Sequence, residues 1–335
     1  MAPNEAGRLP RASGGCVHFC VTGASGFVGQ ALVQKLVSRG DYVTAIARTR
    51  QHRATYGDHV EWVQCDLGES TPPCESLGTV DAIIHLAGRA HVLNERGGAP
   101  MPVFLRENAE ATERLAVFAA RVGIQRFVFA SSIGVHGSLL ADVAPVSEAA
   151  VIDPLEPYAI SKWEAEQRLR RVEGNTSLEV AVVRPALVVG PDAPGNLNRL
   201  ARFVRRSLPV PVPRADNARS FVELDHLVDL LLRCAERPEA AGETFVAAES
   251  DWPSTRQVIE WIGEGAGCQV RCIRLPNSLL RRAARLLGQG RLYDKLYGDL
   301  RVDASHARQR LDWQTPRPLA EAFRDVGRAF RNSAG

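Results

Sequence analysis

A glycine-rich turn between an apolar segment and a helical segment constrains this chain more than any other feature. Residues 22–29 have the sequence T-G-A-S-G-F-V-G and connect a predicted strand, 16–21, to a predicted helix, 27–39. Glycine lets such a turn reverse tightly, lets a pyrophosphate approach the backbone and lets the helix pack closely on the sheet. The start of the helix also presents free N–H groups and the positive end of its dipole to phosphate. The turn therefore predicts a dinucleotide site, and an ordinary strand-to-helix turn is the alternative. The predicted cofactor contacts here are Gly23, Ser25, Gly26, Phe27, Val28 and Gly29.

Strand-like and helix-like segments alternate regularly over the first 185 residues. Nearly continuous apolar strands that alternate with amphipathic helices are typical of a parallel sheet covered on both faces. Because crossovers between parallel strands are right-handed, the expected fold is α/β, with a doubly wound parallel sheet of Rossmann type. The predicted strands are 16–21, 42–47, 60–64, 80–85, 126–131 and 178–184, and the main predicted helices are 27–39, 102–122 and 157–172.

The alternation loosens after residue 185, which indicates a second, smaller lobe. Much of 186–217 is rich in proline, glycine and asparagine, whereas 218–248 contain one more helix and strand that return to the sheet. We therefore assign 16–185, with 218–248, to a dinucleotide-binding domain, and 186–217 with 249–335 to a smaller C-terminal substrate-binding lobe. Residues 1–15 contain charges, two prolines and Gly/Ser clusters, which predicts a flexible leader without the apolar segment of a signal peptide.

The bulk composition argues against several classes of function. The chain has 335 residues, 24% of them charged, and its net charge of +3 gives no case for nucleic-acid binding. No apolar run approaches the roughly 20 residues that span a bilayer. Seven scattered cysteines predict reduced thiols and a cytoplasmic protein. Cys16, His18 and Cys20 share one face of a predicted strand, but cysteine in an apolar strand is usually a small core residue, so no metal site is predicted.

Residues 279–287 form a short basic amphipathic segment, with four leucines and three arginines. Contact with a membrane surface is one interpretation of this pattern. The segment is only nine residues long, however, and a helix that buries its leucines against the core is the favoured interpretation.

A tyrosine and a lysine lie four residues apart at the start of the predicted helix 157–172. Tyr158 and Lys162 therefore share one helical face, and Lys162 is one of only three lysines in the chain. A phenol has an ordinary pKa of about 10, and a neighbouring ammonium group favours the phenolate and lowers that pKa. Tyr158 is thus predicted to exchange a proton with a substrate hydroxyl during hydride transfer. A hydroxyl at the end of strand 126–131, where Ser131 and Ser132 lie, would hydrogen-bond the reacting oxygen.

The ends of the second and third strands bear on the choice of cofactor. An acidic residue after the second strand would bind the ribose hydroxyls of NAD, whereas an arginine can bind the 2′-phosphate of NADP. Arg48 therefore tilts the prediction slightly towards NADP over NAD, with an exposed arginine past a strand end as the alternative. Asp66 and Leu67 follow the third strand, where such folds contact the adenine ring, and a turn aspartate is the alternative for Asp66.

These motifs together resemble the NAD-dependent epimerase/dehydratase family of extended short-chain dehydrogenases/reductases, over roughly residues 16–315. By that resemblance, the family's S-x-x-V-x-G pattern selects Ser132 to hold the reacting oxygen, while Tyr158 is the acid/base and Lys162 also positions the cofactor's ribose. Cofactor contacts are implied for Leu86, Ala87 and Asn108, with a purely structural role as the alternative for Asn108. Arg219 would pair with the diphosphate of the substrate, which suits a forked guanidinium. The substrate contacts implied in all are Ser131, His136, Asn196, Leu197, Arg219 and, as a second arginine, Arg291.

The resemblance implies hydride transfer at C4 of a nucleotide-linked sugar. It is strongest to UDP-hexose 4-epimerases and to UDP-4-keto-6-deoxy-hexosamine 4-reductases of surface-polysaccharide synthesis. Family members that eliminate water or carbon dioxide carry acids after the strand-end hydroxyl, where this chain has Ile133, Gly134 and Val135, so elimination is disfavoured. Epimerase and ketoreductase both remain open, and a non-catalytic NAD(P)-binding sensor of the same fold is the alternative. The resemblance also implies a homodimer formed through paired helices.

Overall fold

Parallel pairing of buried apolar strands builds the framework of the protein. The structure is a computed structural model that describes residues 16–49, 54–89, 101–137, 144–205, 209–214 and 216–332. The predicted leader, residues 1–15, lies outside the described residues. The strands are β1 (His18–Thr22), β2 (Tyr42–Ala47), β3 (Val60–Gln64), β4 (Ala82–His85), β5 (Arg126–Ala130), β6 (Glu179–Pro185), β7 (Leu187–Val189), β8 (Val210–Pro213), β9 (Phe221–Glu223), β10 (Thr244–Ala247) and β11 (Cys272–Leu275).

Helices connect the strands and cover both faces of the sheet. The predicted helix 102–122 is divided, because a π-helical segment, Leu105–Glu110, separates α2 from α3. Such segments are often found at functional sites. The helices are α1 (Phe27–Ser38), α2 (Met101–Phe104), α3 (Ala111–Arg121), α4 (Pro157–Asn175), α5 (Asn196–Arg205), α6 (Leu224–Glu236), α7 (Thr255–Ala266), α8 (Asn277–Leu286), α9 (Gly290–Tyr297), α10 (Ser305–Leu311) and α11 (Leu319–Asn332).

Seven strands form the central sheet in the order β10-β6-β5-β4-β1-β2-β3. Every neighbouring pair in this sheet is parallel. The strand order reverses between β1 and β4, and ligands of such sheets bind beyond the carboxyl ends of the strands at that point. The predicted doubly wound α/β fold is confirmed, and the glycine-rich turn lies at this reversal, directly after β1.

Two apolar layers flank the central sheet. Leu32 of α1 and Leu230 of α6 pack in one layer, and Leu115 of α3 and Leu169 of α4 pack in the other. All four side chains are at most 1% exposed. Burial on both faces explains why the strands are apolar along their whole length rather than alternating with polar residues.

A smaller lobe surrounds a third apolar core that includes Ile259 of α7 and Phe323 of α11. Two short parallel pairs, β7 with β9 and β11 with β8, belong to this part of the chain. The lobe differs from its predicted extent in two segments. Phe221 of β9, close to Arg219, packs in this third core although the sequence assigns 218–248 to the dinucleotide-binding domain, and part of 249–335 packs elsewhere. Leu300, Leu311 and Trp313 pack in the core beneath α1 and α6 instead, because the chain returns to the sheet between α9 and α11.

Helix α8 corrects the interpretation of the basic amphipathic segment. None of its residues is buried, so its leucines do not pack into the core as expected. Within the described part of the chain, no helix is both long enough and apolar enough to cross a membrane.

Candidate active site

The glycine-rich turn fits against the end of β4 only because its key positions lack a side chain. Gly23 has a φ of +66°, and a Cβ atom there would lie 2.8 Å from the backbone nitrogen of Ala87. A Cβ atom on Gly29 would lie 2.2 Å from the carbonyl oxygen of Gly23. The turn is closed by a hydrogen bond of 2.9 Å from the Gly26 N–H to the same oxygen. Glycine at these positions therefore keeps the turn compact where α1 begins, at the strand-order reversal.

A chain of buried hydrogen bonds supports this turn from below. The Ala87 N–H donates to Thr22 Oγ1 at 3.1 Å, and Thr22 Oγ1 lies 2.6 Å from His85 Nδ1. His85 Nε2 lies 2.9 Å from the hydroxyl of Thr112, which donates to the carbonyl oxygen of Asn108. These contacts are all hydrogen bonds if His85 is neutral and carries its proton on Nε2: Nδ1 then accepts from Thr22, and Nε2 donates to Thr112. Burial, with a smaller contribution from Lys162, lowers the pKa of His85 to about 3, in agreement with that neutral form.

Asn108 holds two parts of the site together rather than facing the cofactor. Its Oδ1 accepts the N–H of Arg89 at 2.6 Å, and its Nδ2 donates to the Arg89 carbonyl at 3.1 Å and to Ser161 Oγ at 2.8 Å. The side chain is 1% exposed. These bonds tie the segment after β4 to α4, which is the structural role given as the alternative for Asn108, and the implied cofactor contact stays a prediction.

Lys162 is buried at the carboxyl end of β5, on the same helix as Tyr158. Its Nζ donates to the carbonyl oxygen of Ala130 at 2.8 Å and lies 4.6 Å from the ring centre of Phe129. Burial lowers the pKa of Lys162 to about 8. The ammonium group therefore remains largely protonated at neutral pH, although burial has cost it much of its affinity for the proton.

The pKa of Tyr158 moves in the direction opposite to the one expected. Burial raises it to about 12, whereas the sequence pattern predicts a decrease caused by Lys162. The Lys162 Nζ lies 6.0 Å from the centre of the Tyr158 ring and is directed to a backbone carbonyl. Desolvation therefore outweighs the attraction of the lysine charge.

Ser132 caps the short 3₁₀ turn Ile133–His136 that follows β5. Its Oγ accepts the N–H of Gly134 at 3.1 Å, which leaves the hydroxyl proton available for another acceptor. A Cβ atom on Gly134 would lie 3.2 Å from Ser132 Oγ and 3.6 Å from the Cβ of Ala159. The Ser132 hydroxyl is therefore next to the first turn of α4, where Tyr158 lies.

The neighbouring polar residues form a buried network instead of lining a substrate pocket. Ser131 Oγ donates to Glu166, which also forms an ion pair of 2.6 Å with Arg184. His136 is fully buried, with Nδ1 3.2 Å from the Val151 carbonyl and Nε2 3.1 Å from Arg184 Nη1. Burial and the Arg184 charge lower the pKa of His136. The polar atoms of Ser131 and His136 thus bond to protein groups, and the substrate contacts implied for these two residues stay predictions. Glu166, missed by the sequence analysis, has one signal: it follows Lys162 by one helical turn.

The remaining cofactor candidates lie along the carboxyl edge of the sheet. Arg48 is exposed directly after β2, and Leu86 and Ala87 are partly exposed after β4. Asp66 is exposed, and its Oδ1 accepts the N–H of Gly68 at 2.9 Å, which is the turn-forming alternative of the sequence analysis. Leu67 is buried.

On the smaller lobe, Arg219 has the character of an anion-binding residue. Its Nη1 donates to the carbonyl oxygen of Gly298 at 2.7 Å, and burial lowers its pKa. Among the residues that the structure describes, no carboxylate lies within ion-pair distance of it. Leu197 packs in the lobe core, so its side chain is not a substrate contact. The side chains of Asn196 and Arg291 lie outside what the structure describes.

The side chains of His18 and Cys20 on β1 lie among other protein groups. His18 Nδ1 and Nε2 each lie 2.9 Å from a hydroxyl, of Thr79 and Thr44 respectively, and Cys20 is buried. Over the described ranges, no three His, Cys, Asp or Glu side chains are grouped so that they could hold a metal ion.

Known proteins share both the sequence pattern and the fold. The chain is 31% identical to the UDP-glucose 4-epimerase of Vibrio cholerae over 311 residues, which cover 92% of this chain and 94% of that protein. Among solved structures, UDP-glucuronic acid 4-epimerase from Bacillus cereus in complex with NAD has a TM-score of 0.77 at 18% identity, covering 95% of this chain and 98% of that one. UDP-glucose 4-epimerase from Thermotoga maritima with UDP-glucose has a TM-score of 0.75 at 19% identity, with 95% and 100% covered. At these identities the structures show the fold.

The family itself follows from the sequence. The model of the NAD dependent epimerase/dehydratase family matches residues 19–248, which contain the glycine-rich turn, the strand-end serines and the Tyr158–Lys162 pair. The chain belongs to the NAD-dependent epimerase/dehydratase family.

Proposed function

We propose that the protein is a UDP-hexose or UDP-hexosamine 4-epimerase that transfers hydride at C4 of the sugar. The observation that carries the proposal is the grouping of Ser132, Tyr158 and Lys162 beside the strand-order reversal, without an acid at positions 133–135. Hydride chemistry at a hydroxyl-bearing carbon needs a proton relay and a donor to the oxygen, whereas elimination needs a further acid or base. The similarity to a UDP-glucose 4-epimerase supports the same reaction.

The residues present fit a bound dinucleotide at the glycine-rich turn. A Cβ atom at Gly23 would meet the Ala87 backbone, and one at Gly29 would meet the Gly23 carbonyl, so glycine at both positions keeps the compact turn that a dinucleotide fingerprint needs. Ser25, Phe27 and Val28 would offer N–H groups at the start of α1 to the phosphates, and Gly26, whose own N–H bonds the Gly23 carbonyl, would let the pyrophosphate approach the backbone. When bound, the nicotinamide supplies the acceptor and the donor of hydride.

Within this arrangement each side chain has a separate task. The Ser132 hydroxyl, which already accepts from Gly134, donates to the C4 oxygen. Tyr158 takes the proton of the C4 hydroxyl and returns it to the C4 oxygen after the ketosugar has rotated, so that hydride adds to the other face of C4. Because burial raises the pKa of Tyr158 to about 12, the phenolate needs positive charge nearby. Lys162, still largely protonated at neutral pH, supplies part of it. Arg219 is half-buried, and although the charge of Asp299 acts on it, no described carboxylate lies within ion-pair distance, so its guanidinium would bind the diphosphate.

A 4-ketoreductase is the second candidate, and the exposed Arg48 favours it. An arginine directly after β2 suits the 2′-phosphate of NADPH, a cofactor that reductases take up and release. Either activity would suit the synthesis of sugars for surface polysaccharides. The intact Tyr158–Lys162 pair supports an enzyme over a non-catalytic sensor, and the family resemblance supports a homodimer.

Turnover assays with nucleotide sugars test the proposal. The purified protein is incubated with UDP-glucose, UDP-N-acetylglucosamine and a UDP-4-keto-6-deoxy-hexosamine, with and without NADPH. Interconversion of C4 epimers without consumption of cofactor is expected, whereas stoichiometric loss of NADPH would indicate the ketoreductase. Tyr158→Phe should lower kcat by about 10²–10⁴-fold. Tyr42→Phe, at an exposed tyrosine, is the control and should retain the rate. Full activity of Tyr158→Phe would contradict the mechanism.

A further inference from the structure

Helix α8 exposes more apolar surface than its place in a folded lobe requires. Leu279, Leu286 and Leu287 are 54%, 89% and 76% exposed, and no residue of the helix is buried. Single exposed leucines are common on protein surfaces, but a contiguous apolar patch marks a surface that contacts something else. The three leucines lie within nine residues of one another, on a helix and its C-cap.

The leucines and arginines of α8 separate onto different sides of the helix. Leu279, Ala283 and Leu286 follow the i, i+4, i+7 pattern, and so do Leu280, Ala284 and Leu287. These two adjacent rows form one apolar stripe. Leu280 and Ala284 of the second row are half-buried, so the helix rests on the lobe at these two residues, whereas the first row and Leu287, at the end of the second row, face outwards. Arg281, Arg282 and Arg285 occupy the remaining side.

The surroundings of α8 are strongly cationic. Residues 271–293 contain six arginines and no acidic residue. Arg281 lies 3.8 Å from Asp294, and both side chains are more than half exposed, so this pair neutralises little of the charge in water. A second copy of this face would bring like charges together, which disfavours self-association through it.

We propose that α8 docks the protein onto an anionic lipid surface. An interfacial helix of this kind lies in the plane of the membrane, with leucines in the boundary between headgroups and acyl chains and arginines against the anionic headgroups. Its 10 residues are too few to cross a bilayer, which needs about 20. The contact is therefore peripheral and salt-sensitive.

The docking surface is close along the chain to the substrate side of the lobe. Helix α9 follows α8 and ends directly before Gly298, whose carbonyl oxygen accepts the hydrogen bond of Arg219. Attachment through α8 would thus hold the lobe that carries Arg219 near the membrane surface. This inference concerns location and does not depend on the identity of the sugar.

Co-sedimentation of the full chain with vesicles tests the inference. One set of vesicles contains equal parts of phosphatidylcholine and phosphatidylglycerol, and the other contains phosphatidylcholine alone. We expect binding to the anionic vesicles that decreases as salt is raised, and at least about tenfold weaker binding to the neutral ones. The variant Leu286→Ser/Leu287→Ser should bind at least about tenfold more weakly. Arg282→Glu should weaken binding by about fivefold or more, because each basic residue contributes about that factor near an anionic surface.

Matched controls separate α8 from the general properties of the protein. Leu155→Ser changes another exposed leucine, and Arg171→Glu reverses an exposed charge on α4. Both should bind like the unmodified chain, and circular dichroism checks that all variants are folded. Failure of the unmodified chain to bind anionic vesicles would overturn the inference, as would unchanged binding of the double leucine variant. A dimer that dissociates in the leucine variant would identify a second copy as the occupant and overturn it as well.

Discussion

The buried ion pair behind Ser132 allows a quantitative test by the substitution Glu166→Gln. Glu166 and Arg184 have side chains only 3% and 6% exposed, and their closest contact is 2.6 Å. Glutamine keeps the shape of the side chain and can still accept from Ser131. The substitution leaves the buried Arg184 guanidinium without a counter-charge. Its remaining contact with His136 is a hydrogen bond to a neutral ring.

The expected loss of stability follows from that uncompensated charge. Removing one partner of a buried ion pair costs about 3–5 kcal/mol. With an unfolding entropy of about 2.1 cal/mol/K per residue, a chain of this length unfolds with about 0.7 kcal/mol/K, so Tm should fall by about 4–7 °C. Replacing both partners, as in Glu166→Met/Arg184→Met, should restore part of this loss because no lone charge remains buried.

Differential scanning calorimetry measures the effect, and the chain supplies a close control. Glu164, two residues earlier on α4, pairs with Arg168 at 2.9 Å, but their side chains are 33% and 24% exposed. Glu164→Gln should cost less than about 1 kcal/mol, or about 1.5 °C. Equal decreases of Tm in Glu166→Gln and Glu164→Gln, or a double variant less stable than Glu166→Gln, would refute the reasoning.

Two further predictions concern the glycine-rich turn and Lys162. Gly29→Ala would place a Cβ atom 2.2 Å from the Gly23 carbonyl and displace the turn, so NAD binding in a fluorescence titration should weaken by at least about tenfold. Gly174→Ala meets no atom within 4 Å and should bind NAD normally. Lys162→Met should abolish most activity yet stabilise the fold, because burial lowers the pKa of Lys162 from 10.5 to about 8 and disfavours its charged form. The folded state then binds the proton of Lys162 less tightly than the unfolded state does. This difference lowers the free energy of unfolding by about 3 kcal/mol at pH 7 and by progressively less between pH 8 and 10.5. Chemical denaturation at pH 7 and pH 10 measures the difference in free energy of unfolding between Lys162→Met and the unmodified chain. Lys35→Met, at an exposed lysine, is the control. A difference for Lys162→Met that does not change with pH would contradict the reasoning.

The central sheet could be predicted because its determinants are local in sequence. The alternation of strands and helices needs only the apolar runs, the amphipathic segments between them and the glycine turn, and these are visible within short windows of the sequence. The pairing of Tyr158 with Lys162 is equally local, since four residues make one helical turn.

The parts that could not be predicted depend on burial and on contacts between distant residues. Ser131, Glu166 and Arg184 come from three different elements, so no spacing indicates that Ser131 faces a carboxylate instead of a substrate. The pKa of Tyr158 has the wrong predicted direction because desolvation is a property of the folded surroundings, not of the helix face. The amphipathic pattern at 279–287 predicts a helix correctly, but periodicity does not state what covers the apolar side.

The chain of buried hydrogen bonds beneath the glycine-rich turn affects the entropy change expected when a nucleotide binds there. From the Ala87 amide through Thr22, His85 and Thr112 to the Asn108 carbonyl, each donor has a single acceptor, so a threonine hydroxyl that rotated away would leave its buried acceptor without a donor. The glycine-rich turn, which we propose to bind the phosphates, is thereby held in one shape before any ligand binds. A nucleotide that binds to this preorganised turn loses its own conformational freedom, but the protein loses little additional entropy on binding.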